Sequence, residues 1–309
     1  MSSFEFGSRV VHVVVSGHTD AGRRRSENQD HFLIADLSPS VPGEGFLVNP
    51  DGTGSCRAEN GEFLLGPRGA LLVVADGMGG AAAGRLASKL GVGWIYEELM
   101  NHWSTERLTT PERFAARLQD AVEQTNSRIH EQAEYNPEYN GMGTTATVVG
   151  VLDDFLYLAQ VGDSRAYLVR RGAATQLTKD QSLVQEMIDA GAMTAEEAEN
   201  SGRANVILQA LGPEPRVRVD ITYQKVHDDD VVIVCSDGLF RVVGDHEIGE
   251  TVERTRDLAA LCVELVDLAN ARGGPDNVTV LAARLVGVGL GEARDDEVVG
   301  HRPYRPAGS

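Results

Sequence analysis

Two stretches of the sequence run an apolar segment directly into an Asp-Gly pair. Residues 70–75 carry no charge and lead into Asp76-Gly77, and residues 231–235 lead through Ser236 into Asp237-Gly238. Each apolar run is typical of a buried strand, and we expect the Asp-Gly step to end it. An Asp-Gly pair by itself is most often only a turn. Because two buried strands each deliver an aspartate at their exit, the pattern suggests carboxylates that converge on a cation.

Three further aspartates, Asp30, Asp163 and Asp276, lie at predicted strand ends or tight turns. Carboxylates without His or Cys at ligand spacing select the hard divalent cations Mg²⁺ and Mn²⁺ over zinc. The 8 histidines are scattered, and none has the spacing of a zinc-binding pair. We therefore expect a site built from oxygen ligands.

The composition makes several function classes poor candidates. The 309 residues are 42% hydrophobic and 24% charged, and the net charge of −18 disfavours nucleic acid and anionic membranes as partners. Cys56, Cys235 and Cys262 have no paired spacing, which predicts neither disulfides nor zinc and favours a reducing compartment. No signal peptide is recognisable, and no apolar run approaches the ~20 residues of a membrane helix. We expect a cytoplasmic protein, without a membrane partner, that is a monomer.

The elements that must position the aspartates occur in blocks of strands and helices. Helical spacing covers 84–101, and Thr110-Pro111 predicts the start of a second helix. Apolar runs with short turns over 144–170 predict an antiparallel meander of three strands. A further helix is expected over 258–269 and a last strand over 278–285. This segregation favours an α+β fold with antiparallel sheets between helix pairs.

A single domain over 8–286 is the simplest organisation, because no linker interrupts it. Residues 37–69 are rich in Gly, Pro, Asn and Ser, which predicts an insertion that is either a long hairpin or a partly ordered loop. Residues 179–205 are polar and predict a surface flap with two short helices, the second begun by a capping box at Thr194. The polar tail, 287–309, is predicted to be disordered.

Six short motifs follow one another in an order that is more specific than any one of them. They are Asn28-Gln29-Asp30, Asp76-Gly77-Met78-Gly79-Gly80, Gly143-Thr144-Thr145-Ala146, Gly162-Asp163-Ser164-Arg165, Ser236-Asp237-Gly238 and Gly274-Pro275-Asp276-Asn277-Val278-Thr279-Val280. In this series the chain resembles the PPM (type 2C) metal-dependent protein serine/threonine phosphatases, and its bacterial branch in particular. The resemblance implies a β-sandwich of two antiparallel sheets flanked by helix pairs, in four layers α-β-β-α.

The resemblance also implies a centre of two Mg²⁺ or Mn²⁺ ions at one end of the sandwich. Asp76 would bridge both ions, and the Gly77 carbonyl would bind one of them. Asp237 and Asp276 would complete the ligands of the other ion, and Asp30 would act through water. Such a pair of ions would lower the pKa of a bridging water. The resemblance implies that the resulting hydroxide attacks phosphorus in line, without a phospho-enzyme.

Two further roles follow from the same resemblance. Asp163, together with Asp237, would offer a third and weaker metal site. Arg25 would bind the substrate phosphate, since a guanidinium can hold two phosphoryl oxygens at once. Arg24 competes with Arg25 for this role, although the spacing to Asp30 favours Arg25.

The chain departs from the family pattern at three positions. Gln29 stands where many members have Glu, which is expected to loosen water-mediated metal binding. Met78 stands where eukaryotic members have the histidine thought to be the acid, so the leaving group must take its proton elsewhere. Gln181 stands where a histidine is usual, with no clear effect. Thr144, Thr145, Ser164 and Arg165 are expected to be structural, and Thr279 to continue the last strand.

The leading hypothesis is a Mg²⁺- or Mn²⁺-dependent phosphatase acting on phosphoserine and phosphothreonine in proteins, with a Ser/Thr kinase or its targets among its partners in signalling. The alternative is a non-catalytic domain of the same fold that binds phosphoproteins and regulates them. Loss of a metal aspartate would favour the alternative, and Asp76, Asp237 and Asp276 are all present. Neither the insertion nor the flap carries a readable substrate code.

Overall fold

The computed structural model describes residues 10–38, 46–48, 56–199, 201–203, 205–294 and 296–305. Within these residues the chain forms two antiparallel sheets and seven α-helices, with a short 3₁₀ helix at Pro137–Tyr139. No helix among the described residues combines the length and the apolar character needed to cross a lipid bilayer.

The first sheet has six strands, and its centre is built from both ends of the predicted domain. The strand order is β10 (Ala173–Gln176), β9 (Arg165–Arg170), β12 (Val231–Cys235), β13 (Val278–Val286), β1 (His12–Asp20) and β4 (Cys56–Leu64). Strand β1 pairs with β13 along its whole length, from His12 opposite Val286 to Asp20 opposite Val278. The beginning and the end of the 8–286 range therefore share one sheet.

The second sheet has seven strands. The order is β11 (Asp220–Lys225), β8 (Phe155–Val161), β7 (Ala146–Leu152), β5 (Ala70–Met78), β2 (Asp30–Asp36) and β3 (Phe46–Val48), and β6 (Gly143–Thr144) also pairs with β5. The predicted three-strand meander is correct for β7 and β8 only, because β9 pairs with β10 and β12 in the other sheet. The turn at Gly162 (φ 99°) carries the chain from one sheet to the other.

Helices cover the outer faces of both sheets. The helices α1 (Ala81–Trp103) and α2 (Pro111–Tyr135) pack on the second sheet, and α6 (Asp245–Arg254) and α7 (Leu258–Ala271) pack on the first. Buried apolar side chains fill the space between the sheets and the space under each helix pair. These three apolar layers separate four layers of structure, so the predicted α-β-β-α architecture is confirmed.

The predicted helix starts agree with the structure. The Thr110 hydroxyl accepts a hydrogen bond from the Arg113 N–H at the start of α2, and Pro111 is its first residue. In the flap, Ser182 caps α3 (Leu183–Asp189). Thr194 and Glu197 exchange hydrogen bonds at the start of α4 (Ala195–Glu199), which is the predicted capping box.

The elements that the sequence patterns missed include β10, β11 and α6. The insertion at 37–69 contributes one strand to each sheet, because β3 pairs with β2 and β4 pairs with β1. Because β3 and β4 lie in different sheets and do not pair with each other, the hairpin interpretation is wrong for the described part of this insertion. Residues 39–45 and 49–55 lie outside the described residues. A short helix, α5 (Asp237–Phe240), follows β12 directly.

The C-terminal tail differs from its predicted disorder. The Tyr304 N–H donates a hydrogen bond to the Ile221 carbonyl, and the Arg302 carbonyl accepts one from the Tyr223 N–H, so the tail extends the second sheet beyond β11. The Tyr304 ring contacts the rings of Tyr157 and Tyr223 edge-on, with centroids 5.6 and 5.7 Å away. Residues 296–305 are therefore packed, because an edge strand and an aromatic cluster offer partners that composition does not reveal.

Candidate metal centre

The five predicted aspartates come from five different places in the fold. Asp30 begins β2, Asp76 lies in β5, Asp163 follows β8, Asp237 begins α5, and Asp276 precedes β13. Four of them line one cavity of about 400 Å³, together with Arg25. The fifth, Asp30, is completely buried and lies opposite Asp76 in the register of β2 and β5. The structure therefore brings the whole predicted set to one end of the sandwich.

Asp76 is held through its own backbone by Thr144 and Thr145. Its N–H donates to the Thr145 hydroxyl (2.9 Å), and its carbonyl accepts from the Thr144 hydroxyl (2.9 Å) and the Thr145 N–H (2.8 Å). The expectation that Asp76-Gly77 ends the strand is wrong, because β5 continues to Met78 by pairing with β6. Thr144 and Thr145 act structurally, as predicted.

Gly77 is a position where no side chain fits. A Cβ there would lie 2.1 Å from the Gly84 carbonyl oxygen and 2.9 Å from the Gln29 carbonyl oxygen. The Gly77 N–H also donates to the Gln29 carbonyl at 3.2 Å. Three backbone segments therefore meet at this glycine, which lines the cavity beside Asp76.

Asp30 is fixed by hydroxyl groups from the first sheet. Its Oδ2 atom accepts hydrogen bonds from the hydroxyls of Ser236 (2.6 Å) and Thr279 (2.7 Å), and Thr279 is also bonded to Thr19 (2.7 Å). Its Oδ1 atom is buried without a hydrogen-bond partner. Ser236 and Thr279 belong to the predicted motif series, but no sequence pattern assigned them or Thr19 to Asp30, and only the contacts across the sandwich reveal this role.

Asp276 is bound on both carboxylate oxygens. Oδ2 accepts from the Arg25 guanidinium at 2.7 Å, and Oδ1 accepts from the Asn277 N–H at 2.9 Å. The Asn277 side chain in turn bonds to the Ala21 and Glu27 carbonyls and to the Gln29 N–H. Asn277 therefore ties the loop that carries Arg25 to the residue before β13.

Asp237 and Asp163 share a positive partner that the sequence analysis did not single out. The Nη2 atom of Arg241 lies 2.8 Å from Asp237 Oδ2 and 3.5 Å from Asp163 Oδ2. Arg241 stands four residues after Asp237, and this helical spacing is the only signal in the sequence that pairs them. The Oδ1 atom of Asp237 is buried without a hydrogen-bond partner.

The carboxylates raise one another's pKa. Burial, opposed by two hydroxyl hydrogen bonds and assisted by Asp237, raises the pKa of Asp30 to about 7. Burial and the charge of Asp237 raise the pKa of Asp163 to about 7, while Arg241 opposes the shift. Burial and the charge of Asp30 raise the pKa of Asp76 well above its ordinary value. Such a group of like charges is stabilised by a cation.

The donor chemistry fits hard divalent cations, although the side chains are turned toward arginines. No three acidic, His or Cys side chains among the described residues stand in the arrangement that one ion requires. Arg25 and Arg241 engage Asp276, Asp237 and Asp163 instead. The orphaned Oδ1 atoms of Asp30 and Asp237 are nevertheless oxygen donors that an ion or its water would satisfy.

The departures from the family pattern have visible surroundings. Gln181 is buried, accepts a hydrogen bond from the Gly162 N–H (2.9 Å) and donates to the Arg218 carbonyl (3.3 Å), so it supports the turn that carries Asp163. Gln29 and Met78 both line the cavity. Arg25 also lines it, whereas Arg24 is not among its lining residues.

Comparison with known proteins shows the family of the chain. A family model described as Protein phosphatase 2C matches residues 54–285. The serine/threonine phosphatase Stp of Listeria innocua is 38% identical over 212 residues, which are 68% of this chain and 82% of that protein. The protein phosphatase PstP of Mycobacterium tuberculosis is 38% identical over 243 residues, 78% of this chain and 45% of PstP.

A solved structure extends the agreement to the fold. The catalytic domain of PstP in complex with two manganese ions matches with a TM-score of 0.67 and 32% identity, covering 89% of this chain and 99% of that domain. The matched family range includes Asp76, Asp163, Asp237 and Asp276. By sequence and fold, the chain belongs to the protein phosphatase 2C family of serine/threonine phosphatases.

Proposed function

We propose that this protein is a Mn²⁺- or Mg²⁺-dependent phosphatase that hydrolyses phosphoserine and phosphothreonine monoesters in proteins. The observation that carries the proposal is the cavity lined by four aspartates and by Arg25, in a chain of the protein phosphatase 2C family. A carboxylate cluster without a counter-cation would repel a phosphate dianion. The same cluster loaded with divalent ions attracts the phosphate.

Each metal role assigned by the resemblance has a suitable residue in the cavity or, for Asp30, buried beside it. Asp76 and the Gly77 carbonyl would bind ions directly, as would Asp237 and Asp276, and buried Asp30 would act through water. Bound divalent ions would neutralise the phosphate and lower the pKa of a water molecule enough to form hydroxide near neutral pH. The Thr279 and Ser236 hydroxyls would keep Asp30 oriented for this role.

Arg25 is the phosphate-binding group of the proposal. Its guanidinium is bound to Asp276 at 2.7 Å, yet its side chain is 55% exposed, on a loop at the mouth of the cavity. If Asp276 bound an ion instead, the Arg25 guanidinium would become available to an incoming phosphoryl group. It could then hold two phosphoryl oxygens at once.

The leaving-group proton must come from a source other than Met78. A thioether has no proton to donate, and no histidine is among the described residues that line the cavity. We infer that water in the open cavity protonates the leaving serine or threonine alkoxide.

The cellular setting belongs to the same proposal. Phosphorylated proteins, including a Ser/Thr kinase or its targets, would be the partners in a signalling pathway, and the protein would be a cytoplasmic monomer. The net charge of −18 supports proteins rather than nucleic acids as substrates. Cys235 and Cys262 are buried as thiols, as suits a reducing compartment. Phosphoproteomics of a deletion strain would identify the substrates.

The test is hydrolysis of a chromogenic phosphate ester and of a phosphothreonine peptide, with Mn²⁺ and with Mg²⁺. We expect activity in the wild type and its loss in Asp237→Asn. The matched control is Asp120→Asn, because Asp120 is an aspartate whose side chain is 52% exposed on α2. A wild type as inactive as Asp237→Asn under both metals would contradict the enzyme and favour the non-catalytic phosphoprotein-binding domain.

A further inference from the structure

The resemblance places a third, weaker ion between Asp163 and Asp237, and in this structure Arg241 lies there. One guanidinium nitrogen is 2.8 Å from Asp237 and 3.5 Å from Asp163. The Asp163 and Asp237 residues are only 5% and 8% exposed. A buried pair of carboxylates thus already has a positive charge held between them.

Arg241 is held in this position by the fold around it. Its N–H donates to the Asp237 carbonyl at 3.1 Å, which closes the short helix α5. The preceding Leu239 is fully buried, and the Phe240 ring lies 3.8 Å beneath the Arg165 guanidinium. Leu239 and Phe240 therefore fix the backbone that leads into Arg241. The Arg241 side chain begins one helical turn after Asp237.

The Arg165 guanidinium, which packs on the Phe240 ring, is itself held in place. Arg165 is ion-paired with Asp180 at 2.8 Å, and the Gln176 side chain donates to the same carboxylate at 2.9 Å. Arg165 is therefore engaged by Asp180, and it is not free to neutralise Asp163. Within the described cavity, Arg241 is the guanidinium that faces both acidic residues.

The two arginines of the cavity differ in how they are held. Arg25 contacts one carboxylate, and its side chain is 55% exposed. Arg241 contacts two carboxylates, and its side chain is 23% exposed. Arg25 can therefore exchange its partner for a phosphoryl group, whereas releasing Arg241 would leave two buried carboxylates without their positive partner.

We propose that Arg241 takes the place of the third ion, so that the protein binds two divalent cations and supplies the third positive charge from its own chain. A free cation would have to displace a guanidinium that is tethered beside the site, and it would then lie next to that displaced charge. Both effects oppose binding of a third ion by Asp163 and Asp237. The inference rests on the proposed function, because it presupposes the other two ions.

The test counts bound Mn²⁺ by titration, following the paramagnetic resonance signal of free Mn²⁺. We expect two Mn²⁺ per chain in the wild type and three in Arg241→Ala, where the carboxylates become available. The double variant Arg241→Ala with Asp163→Ala returns the count to two, because it removes a ligand of the new site. Thermal melting verifies that each variant is folded, and Arg241→Gln replaces Arg241→Ala if the latter is not.

The outcomes separate this inference from the proposed function. Three Mn²⁺ in the wild type, falling to two in Asp163→Ala, would overturn the role of Arg241 while leaving the phosphatase intact. An unchanged count of two in the folded variant, Arg241→Ala or its replacement Arg241→Gln, would also overturn it. A wild type that binds no Mn²⁺ and hydrolyses no phosphate ester would overturn the proposed function and the inference together.

Discussion

The two strands that deliver an aspartate to the cavity begin alike and end differently. In β5 the Asp76-Gly77 pair remains part of the strand, which continues to Met78. In β12 the strand is over before Asp237-Gly238, and the same pair of residue types opens the helix α5. One local sequence pattern therefore adopts two conformations within one active site.

The neighbouring strands explain the difference. Beyond Asp76, β5 still has a partner, because Gly77 lies opposite Thr144 and Met78 opposite Gly143 in β6. Beyond β12, Ser236 makes a last bond to the Thr279 carbonyl (3.2 Å). The chain then satisfies its backbone groups within α5. The available partner, and not the Asp-Gly pair, decides whether the strand continues.

The electrostatic settings of the two aspartates differ as well. The pKa of Asp76 is raised by burial and then by the charges of neighbouring carboxylates, of which Asp30 is the largest contributor. Burial also raises the pKa of Asp237, but the Arg241 guanidinium opposes that shift. Asp237 thus has a cation in its own helix turn, and we expect Asp76 to depend more strongly on ions from solution.

The largest expected effect comes from the aspartate without such a partner. Asp76→Asn should abolish Mn²⁺ binding and ester hydrolysis together, because the proposed bridge between two ions is lost. We expect losses beyond the roughly 100-fold that removal of an outer-shell partner causes. Calorimetric Mn²⁺ titration and initial rates measure both losses. Full activity in Asp76→Asn would contradict the proposed role of Asp76 as a metal ligand.

The next effect concerns Gly77 and Gly238, the glycines of the two Asp-Gly pairs. Substituting them tests whether the backbone is closely packed at both pairs. A Cβ would lie 2.1 Å from the Gly84 oxygen at Gly77 and 2.0 Å from the Asn277 oxygen at Gly238. Gly77→Ala and Gly238→Ala should each lower the free energy of unfolding by about 3 kcal/mol or more. Gly93 is a helical glycine of α1 with nothing within 4 Å of its Cβ position. Gly93→Ala should raise the free energy of unfolding by at most about 1 kcal/mol.

Urea denaturation of the three glycine variants decides the comparison. Equal stability of Gly77→Ala and Gly93→Ala would show that the backbone beside Asp76 has room to move. A large loss in Gly238→Ala alone would mean that only the helical unit is tightly packed.

A smaller effect distinguishes a hydroxyl that holds the Asp30 carboxylate from one that holds the Asp76 backbone. Thr279→Val removes a hydroxyl that donates to Asp30 Oδ2, and should weaken Mn²⁺ binding roughly 10–100-fold. Thr145→Val removes the hydroxyl that accepts from the Asp76 N–H, and should instead cost about 1 kcal/mol of stability. Mn²⁺ titration and urea denaturation of both variants measure the difference. Equal Mn²⁺ affinity in Thr279→Val and the wild type would remove Thr279 from the site.

The smallest effect is expected at Met78, two residues after Asp76 on the same strand. Met78→Ala should reduce the turnover number less than tenfold, on the order of what a lost packing contact causes, because the thioether takes no part in proton transfer. Turnover of a phosphothreonine peptide measures it. A loss as large as that of Asp76→Asn would mean that Met78 organises the reacting groups.

Much of the scaffold was predictable because it depends on local patterns. The capped start of α2 at Thr110-Pro111 and the strands that deliver Asp76 and Asp237 follow from residue type and spacing alone. The tail at 296–305 was not predictable, because its order depends on β11, an edge strand more than seventy residues earlier in the chain.

The sequence by itself determined the family, the layered fold and the five aspartates, because each is written in short motifs and in apolar periodicity. The tertiary structure decided what surrounds them. The Thr279 and Ser236 hydroxyls reach Asp30 from 249 and 206 residues away, and Arg241 lies between Asp163 and Asp237 only because β8 and β12 end at the same edge of the sandwich. Such contacts depend on how the two sheets face each other, and no local sequence pattern encodes that arrangement.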